Sequence, residues 1–135
     1  MNKRAIFILP LLLAFFAISC NKESSYSIQL HNISEGPVRV KVTLDPQFLA
    51  PGQNPLKLDK SILQGQKVEV YYNKGVGISL PTKDDTTLKY IIQVYNADTV
   101  PINRNLRSLN NYSQTGNEKK RNYIYEAKII PSDFD

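Results

Sequence analysis

Few side chains in this chain could carry out chemistry, and they stand apart from one another. Cys20 is the only cysteine. A thiol yields a thiolate, a far better nucleophile toward alkylating groups than a serine hydroxyl, and a lone thiol cannot close a disulfide within its own chain. His31 is the only histidine. Beside a hydroxyl and a carboxylate it could form a hydrolase site. No Gly-x-Ser-x-Gly or similar nucleophile setting accompanies it, and a histidine next to Leu30 in a strand-like stretch fits a surface or half-buried position. Asp84 and Asp85 are the only adjacent carboxylates. They fall in Lys83-Asp84-Asp85-Thr86, a turn composition without the Asp-x-Asp-x-Asp spacing that converges on calcium. Zinc needs several Cys or His ligands, which this chain does not supply. Gly75-Val76-Gly77 lacks the Lys-Ser/Thr of a phosphate-binding loop, and a hairpin turn is the better account. No cofactor and no metal are expected.

The element that positions Cys20 is the first stretch of chain. Lys3 and Arg4 precede an apolar run of 14 residues (5–18), which contains Pro10 and leads into Ser19. A basic start, an apolar middle and small residues near a cut are the three parts of an export signal. The run is shorter than the roughly 20 apolar residues that a membrane-spanning helix needs. After Cys20 the chain turns polar at once, with Asn21, Lys22, Glu23, Ser24 and Ser25.

Ala17-Ile18-Ser19-Cys20 resembles the lipobox of bacterial lipoproteins, with a small residue just before the cysteine and a small or aliphatic one three places before it. The resemblance implies a diacylglyceryl group on the Cys20 sulfur, cleavage before Cys20 and often a further fatty acyl group, such as palmitate, on the new N-terminus. Two or more acyl chains hold a protein at a bilayer far better than one, at about 0.8 kcal/mol per buried CH₂. Asn21-Lys22-Glu23 also resembles the short lysine-plus-acidic signals that send some lipoproteins of Bacteroidota to the outer cell surface, and the chain as a whole resembles small envelope lipoproteins of that group. A plain solvated tether is the alternative reading of the same residues. The implied location is the bacterial outer membrane, on its periplasmic or its cell-surface face.

Residues 1–19 are thus read as a signal peptide, 20–25 as the lipidated cysteine and a tether, and 26–135 as a folded domain. The five residues 21–25 reach at most about 17 Å at 3.3–3.6 Å each, which holds the domain close to the lipid. Removing residues 1–19 from the 135 leaves 116, enough for one domain with a real core and no cross-links. Lys3 and Arg4 leave with the signal, so the formal charge falls from +5 to +3. That mild excess favours an anionic membrane surface slightly, at about 1 kcal/mol per well-placed basic residue. It does not argue for nucleic acid as a partner, and the export signal argues against one.

The apolar pattern of the remaining chain is short and alternating. Residues 27–31 alternate, and residues 38–44 place Val38, Val40, Val42 and Leu44 on one face. A turn composition at 32–37 lies between them, so the two runs are expected to form an antiparallel hairpin. Residues 45–60 hold Pro46, Pro51 and Pro55 and read as irregular chain. A strand is expected at 67–71, broken by residues 73–77, and a short one at 78–80. The more apolar run 88–96 reads as a central strand buried on much of both faces, and 122–130 as the last strand. Leu106 and Leu109 support at most a turn or two of helix within 103–110. The expected fold is all-β: a single antiparallel β-sandwich of six or seven strands. In its opening segment, residues 27–43, it resembles immunoglobulin-like exported modules, without their Cys–Trp–Cys core.

The eight tyrosines allow two readings. Tyr71, Tyr72, Tyr90, Tyr95, Tyr123 and Tyr125 lie on expected strands, where rings fill core edges with their hydroxyls at the rim; exposed together, they could instead stack sugars. Residues 101–121 are polar and basic. Long connections on a rigid sheet are where binding tends to sit, so Arg104, Arg107, Tyr112, Lys119, Lys120 and Arg121 are the candidate interaction loop. The leading expectation is a non-catalytic, membrane-anchored lipoprotein of the cell envelope. It meets the lipid through acylated Cys20 and an envelope protein through its domain. The alternatives are a glycan-binding accessory that uses its tyrosines and an unrecognised hydrolase around His31.

Overall fold

Alternation of inward apolar and outward polar residues builds seven strands. The computed structural model describes residues 22–78, 88–117 and 119–135. Cys20 and the signal segment, Asp84-Asp85, and Ser79-Leu80 of the short strand expected at 78–80 lie outside the described residues. The strands are β1 Glu23–Asn32, β2 Val38–Leu44, β3 Leu56–Ile62, β4 Lys67–Val76, β5 Tyr90–Tyr95, β6 Ser113–Asn117 and β7 Asn122–Ile129. They form a four-stranded sheet in the order β4-β1-β7-β6 and a three-stranded sheet in the order β3-β2-β5. The sheets face each other across one apolar core. Ile28 and Leu30 of β1, Val68 of β4 and Ala127 and Ile129 of β7 meet Val38, Val40 and Val42 of β2 and Ile92 and Val94 of β5 there.

The all-β expectation and the strand number hold, but the sandwich is not wholly antiparallel. β1 and β7 run parallel, from Ser25 opposite Asn122 to Asn32 opposite Ile129. Parallel neighbours need a long connection between them, and here the whole intervening chain provides it.

The expected hairpin between residues 27–31 and 38–44 does not form, because β1 and β2 belong to different sheets. Asn32 explains the change. It is fully buried. Its amide donates to the carbonyls of Gly36 at 2.8 Å and Ile62 at 3.1 Å, and its side-chain oxygen accepts from the Ser34 amide at 3.0 Å and the Ser34 hydroxyl at 2.6 Å. These bonds shape residues 32–37 into an arch that carries the chain across the core. Both apolar faces then point at each other instead of lying side by side.

Further expectations change as well. Residues 45–60 are not all irregular, since β3 occupies 56–62 beside β2. Only Ile62 of β3 is buried, so an edge strand held by one ladder leaves little apolar signal. β4 does not break at 73–77 but runs to Val76, because β1 also starts early, at Glu23, and pairs with it through Ser24 opposite Gly75. Only Gly77, with φ 67°, leaves the strand, so Gly75-Val76-Gly77 is not a hairpin turn. The early start of β1 also takes residues 23–25 out of the expected tether. The apolar run 88–96 becomes β5, which lies at the edge of its sheet. Its apolar residues are covered by the returning chain, where the Ile102 amide donates to the Val94 carbonyl at 2.8 Å and the Leu88 amide to the Arg107 carbonyl at 2.9 Å.

Candidate functional site

The strands give the molecule two ends. At the near end, close to Cys20 in sequence, β1 begins, β4 and β6 finish and β7 begins. At the far end lie the arch 32–37, the β3–β4 turn, the loop 96–100 and a short 3-10 turn Pro131–Phe134.

The candidate interaction loop is divided between these ends. Arg104 donates to the Lys128 carbonyl at 2.5 Å and to the Asp133 carboxylate at 2.7 Å, toward the far end. Arg107 donates to Asp45 at 2.6 Å and to the Leu88 carbonyl at 3.1 Å. Both guanidiniums act as struts that tie the segment to neighbouring chain. Tyr112 is buried, and its hydroxyl donates to the Leu106 carbonyl at 2.8 Å. Burial pushes its phenol up from the ordinary range. Leu106 and Leu109 are core residues beside it. The first half of 101–121 is therefore a plug of the core and not an open loop, and Arg104, Arg107 and Tyr112 each have partners within the fold. Lys119, Lys120 and Arg121 form the β6–β7 turn at the near end. Arg121 is seven residues from Lys128 along the chain, more than about 20 Å at 3.3 Å per strand residue.

His31 lies on the outer face of the four-stranded sheet. Its Nδ1 is 3.6 Å from a Glu126 carboxylate oxygen, and this nitrogen makes no hydrogen bond. Glu126 also accepts from the Lys67 ammonium, which is the chief reason its carboxyl is held below the ordinary range. No hydroxyl among the described residues hydrogen-bonds His31, so the nucleophile–base pairing of a triad is not assembled there. Among the described residues no group of three or more His, Cys, Asp or Glu could hold a metal ion, and no helix is long and apolar enough to cross a membrane.

The tyrosines serve mostly as core and rim. Tyr125 is buried. Tyr26, Tyr71 and Tyr90 meet between the sheets, with centroids 5.4 Å and 4.7 Å apart and planes tilted by 46° and 38°. They are partly buried against the core and do not make a flat exposed platform.

The strongest site geometry is at the far end, where sequence reasoning singled out nothing. A groove of about 430 Å³ runs over the outer face of the three-stranded sheet, lined by Pro37, Arg39, Lys41, Ser61, Tyr95, Asn96 and Thr99 among others. A second hollow of about 360 Å³ adjoins it, shares Pro37, Asn96 and Ala97, and is lined by Glu35, Asp98 and Asp135. One hollow is basic at its wall and the other acidic. Arg39 is held by a two-point bond to Asp59, at 2.7 and 2.8 Å. This bond keeps the Asp59 carboxyl below its ordinary range.

The loop between the hollows is specifically built. The Asn96 side-chain oxygen accepts from the amides of Asp98 at 3.0 Å and Val100 at 2.8 Å. That turn holds Thr99 at φ 63°, in the left-handed region where a β-branched residue is strained. At the same end stand Ile33, Leu63, Val100 and Ile130, between 38% and 58% exposed. Exposed apolar residues at the same end as two polar hollows of opposite charge suit the recognition of another macromolecule's surface. The signal available in sequence was Asn96-Ala97-Asp98-Thr99 before Pro101, a turn composition whose strain only the backbone reveals. Compared with protein-family models, curated proteins and solved structures, the chain matches none.

Proposed function

We propose that this chain is a non-catalytic lipoprotein of the bacterial cell envelope, held to the outer membrane through acylated Cys20, whose β-sandwich docks a protein partner with its far end. The observation that carries the reading is the pair of adjoining hollows at the end of β1 away from Cys20, with Ile33, Leu63, Val100 and Ile130 exposed at the same end. β1 has ten residues, about 33 Å at 3.3 Å each. Its first residue, Glu23, is three positions beyond Cys20. A domain tethered there presents its far end to the envelope space or the medium. Seven strands in two facing sheets also support the likeness in shape to immunoglobulin-like modules.

Two measurements test the proposal. Replacing Cys20→Ala in a bacterium that processes lipoproteins is expected to abolish incorporation of labelled palmitate and to empty the membrane fraction of the protein; unchanged labelling overturns the anchor. Photo-crosslinking in intact cells from position 41, in the groove, is expected to capture a protein that position 115, on the outer face of β6, does not. Glycan capture, or no capture, at position 41 overturns the partner assignment.

A further inference from the structure

The near end carries a charge pattern of its own. Lys119 and Lys120 are exposed in the β6–β7 turn, and Arg121 follows them with φ 52°. The turn is fixed by the Lys120 amide donating to the Asn117 side chain at 3.1 Å. It is also fixed to the start of β1, because the Ser25 amide donates to the Arg121 carbonyl at 2.9 Å. A Cβ on Gly116 would meet the Asn122 carbonyl oxygen at 2.2 Å, so the hairpin closes too tightly there for any side chain. Lys22 and Lys74 stand at the same end. The register sets Glu23 opposite Val76 and Ser24 opposite Gly75.

Five basic residues thus gather within a few positions of where the chain leaves toward Cys20: Lys22, Lys74, Lys119, Lys120 and Arg121. Opposing them are Glu23, which pairs with Lys74 at 3.0 Å, and Glu118 in sequence. From Cys20 onward, the remaining basic and acidic residues are equal in number, so these seven residues together carry a net charge equal to the +3 of the exported chain. Tyr72 and Val76, each 53% exposed, flank Lys74 along β4. An aromatic and an aliphatic side chain among lysines is the composition that sits well at a lipid–water boundary.

We infer that the near end is a lipid-facing surface: Lys119, Lys120 and Arg121, with Lys22 and Lys74, rest on anionic headgroups of the membrane that holds Cys20 and keep the sandwich upright. The inference rests on the Cys20 anchor and adds to it an orientation. A three-residue link alone confines the domain but does not orient it. Several basic residues within a Debye length of an anionic surface add attractions that hold one end down.

The test uses the full protein as exported, purified with its acyl groups and reconstituted into vesicles. One set is phosphatidylcholine and the other contains phosphatidylglycerol. A membrane-impermeant amine reagent is applied, and modification at Lys119, Lys120 and Lys41 is read by mass spectrometry. Lys119 and Lys120 are expected to be protected several-fold in the anionic vesicles relative to the neutral ones, with Lys41 unchanged. About 0.5 M salt is expected to remove the protection by screening. In the Lys119→Glu/Lys120→Glu variant, altered only in an exposed turn, protection of Lys22 and Lys74 is expected to fall as well. Equal modification in both vesicle types overturns the inference, as does equal protection by inorganic phosphate with neutral vesicles. The mass of the N-terminal peptide reports separately on the anchor: an unmodified Cys20 sulfur overturns that reading and this one together, whereas an acylated peptide with unprotected lysines overturns only the orientation.

Discussion

Three charged or chargeable side chains meet on the outer face of the four-stranded sheet: His31, Lys67 and Glu126. Their strands make the meeting possible, since β1 lies between β4 and β7 with His31 opposite both Lys67 and Lys128. The Lys67 ammonium, more than any other neighbour, lowers the Glu126 carboxyl below the 4.5 of a free glutamate. A carboxyl depressed by folding contributes stability that is present above its unfolded value and is lost as pH falls through its folded value. Asp45 and Asp59 are lowered in the same direction, Asp45 first by the Gln47 amide and Asp59 first by Arg39. Stability is therefore expected to decline as pH drops below about 4.5. Glu126→Gln is expected to weaken that decline and to reduce stability modestly at neutral pH. Urea midpoints measured from pH 7 to pH 3 check this; parallel curves for the two proteins would contradict it. At this scale the sequence marked His31 as a half-buried strand residue. It gave no sign of Glu126 beside it, because the two are brought together only by a parallel pairing of the first and last strands.

The arch between β1 and β2 decides the topology at the scale of elements. An Asn-Ile-Ser-Glu-Gly-Pro segment reads as a hairpin turn because its composition suits any reversal. The buried Asn32 amide selects a different reversal by bonding across to Ile62 at the end of β3. Asn32→Ala removes all four of its side-chain bonds and strands buried carbonyls. The expected loss is about 2–4 kcal/mol, read as a lower urea midpoint, with Ser34→Ala costing less, on the order of 1 kcal/mol. A neutral Asn32→Ala would show that the arch forms without its side-chain bonds. The alternating strands β2 and β7 were legible because one face of each is buried and the other is not. β3 and β6 were not legible. Every residue of β6 is exposed, so its pairing is a matter of backbone bonds, which leave no apolar period.

The whole molecule has one core, to which both sheets and the plug contribute. Leu109 sits in a short 3-10 turn, Leu109–Asn111, and is fully buried. If the segment belongs to the core, Leu109→Ala is expected to cost about 2–5 kcal/mol. Both sheets should then unfold in a single shifted transition, seen together in tyrosine fluorescence and far-ultraviolet circular dichroism. A loss of less than about 0.5 kcal/mol, the usual range for surface changes, would return the segment to the class of open loops. At this scale the molecule is polar in the sense of having two unlike ends. Basic residues gather where the chain comes from Cys20, and two adjoining hollows lie where β1 finishes. Under the proposed function, the first end faces the membrane and the second a partner.

The all-strand composition and the core faces of β1, β2 and β7 could be read from the chain alone, because each depends on neighbours in sequence. Hydropathy, turn residues and alternation are local quantities. The sheet order, the parallel union of β1 with β7 and the far-end hollows were decided only in three dimensions. So was the division of one basic segment into two half-buried struts and an exposed turn. These depend on contacts between residues tens of positions apart, such as Arg104 with Asp133 and Arg107 with Asp45. A charged side chain carries no mark of whether its partner will be a distant carboxylate or the solvent.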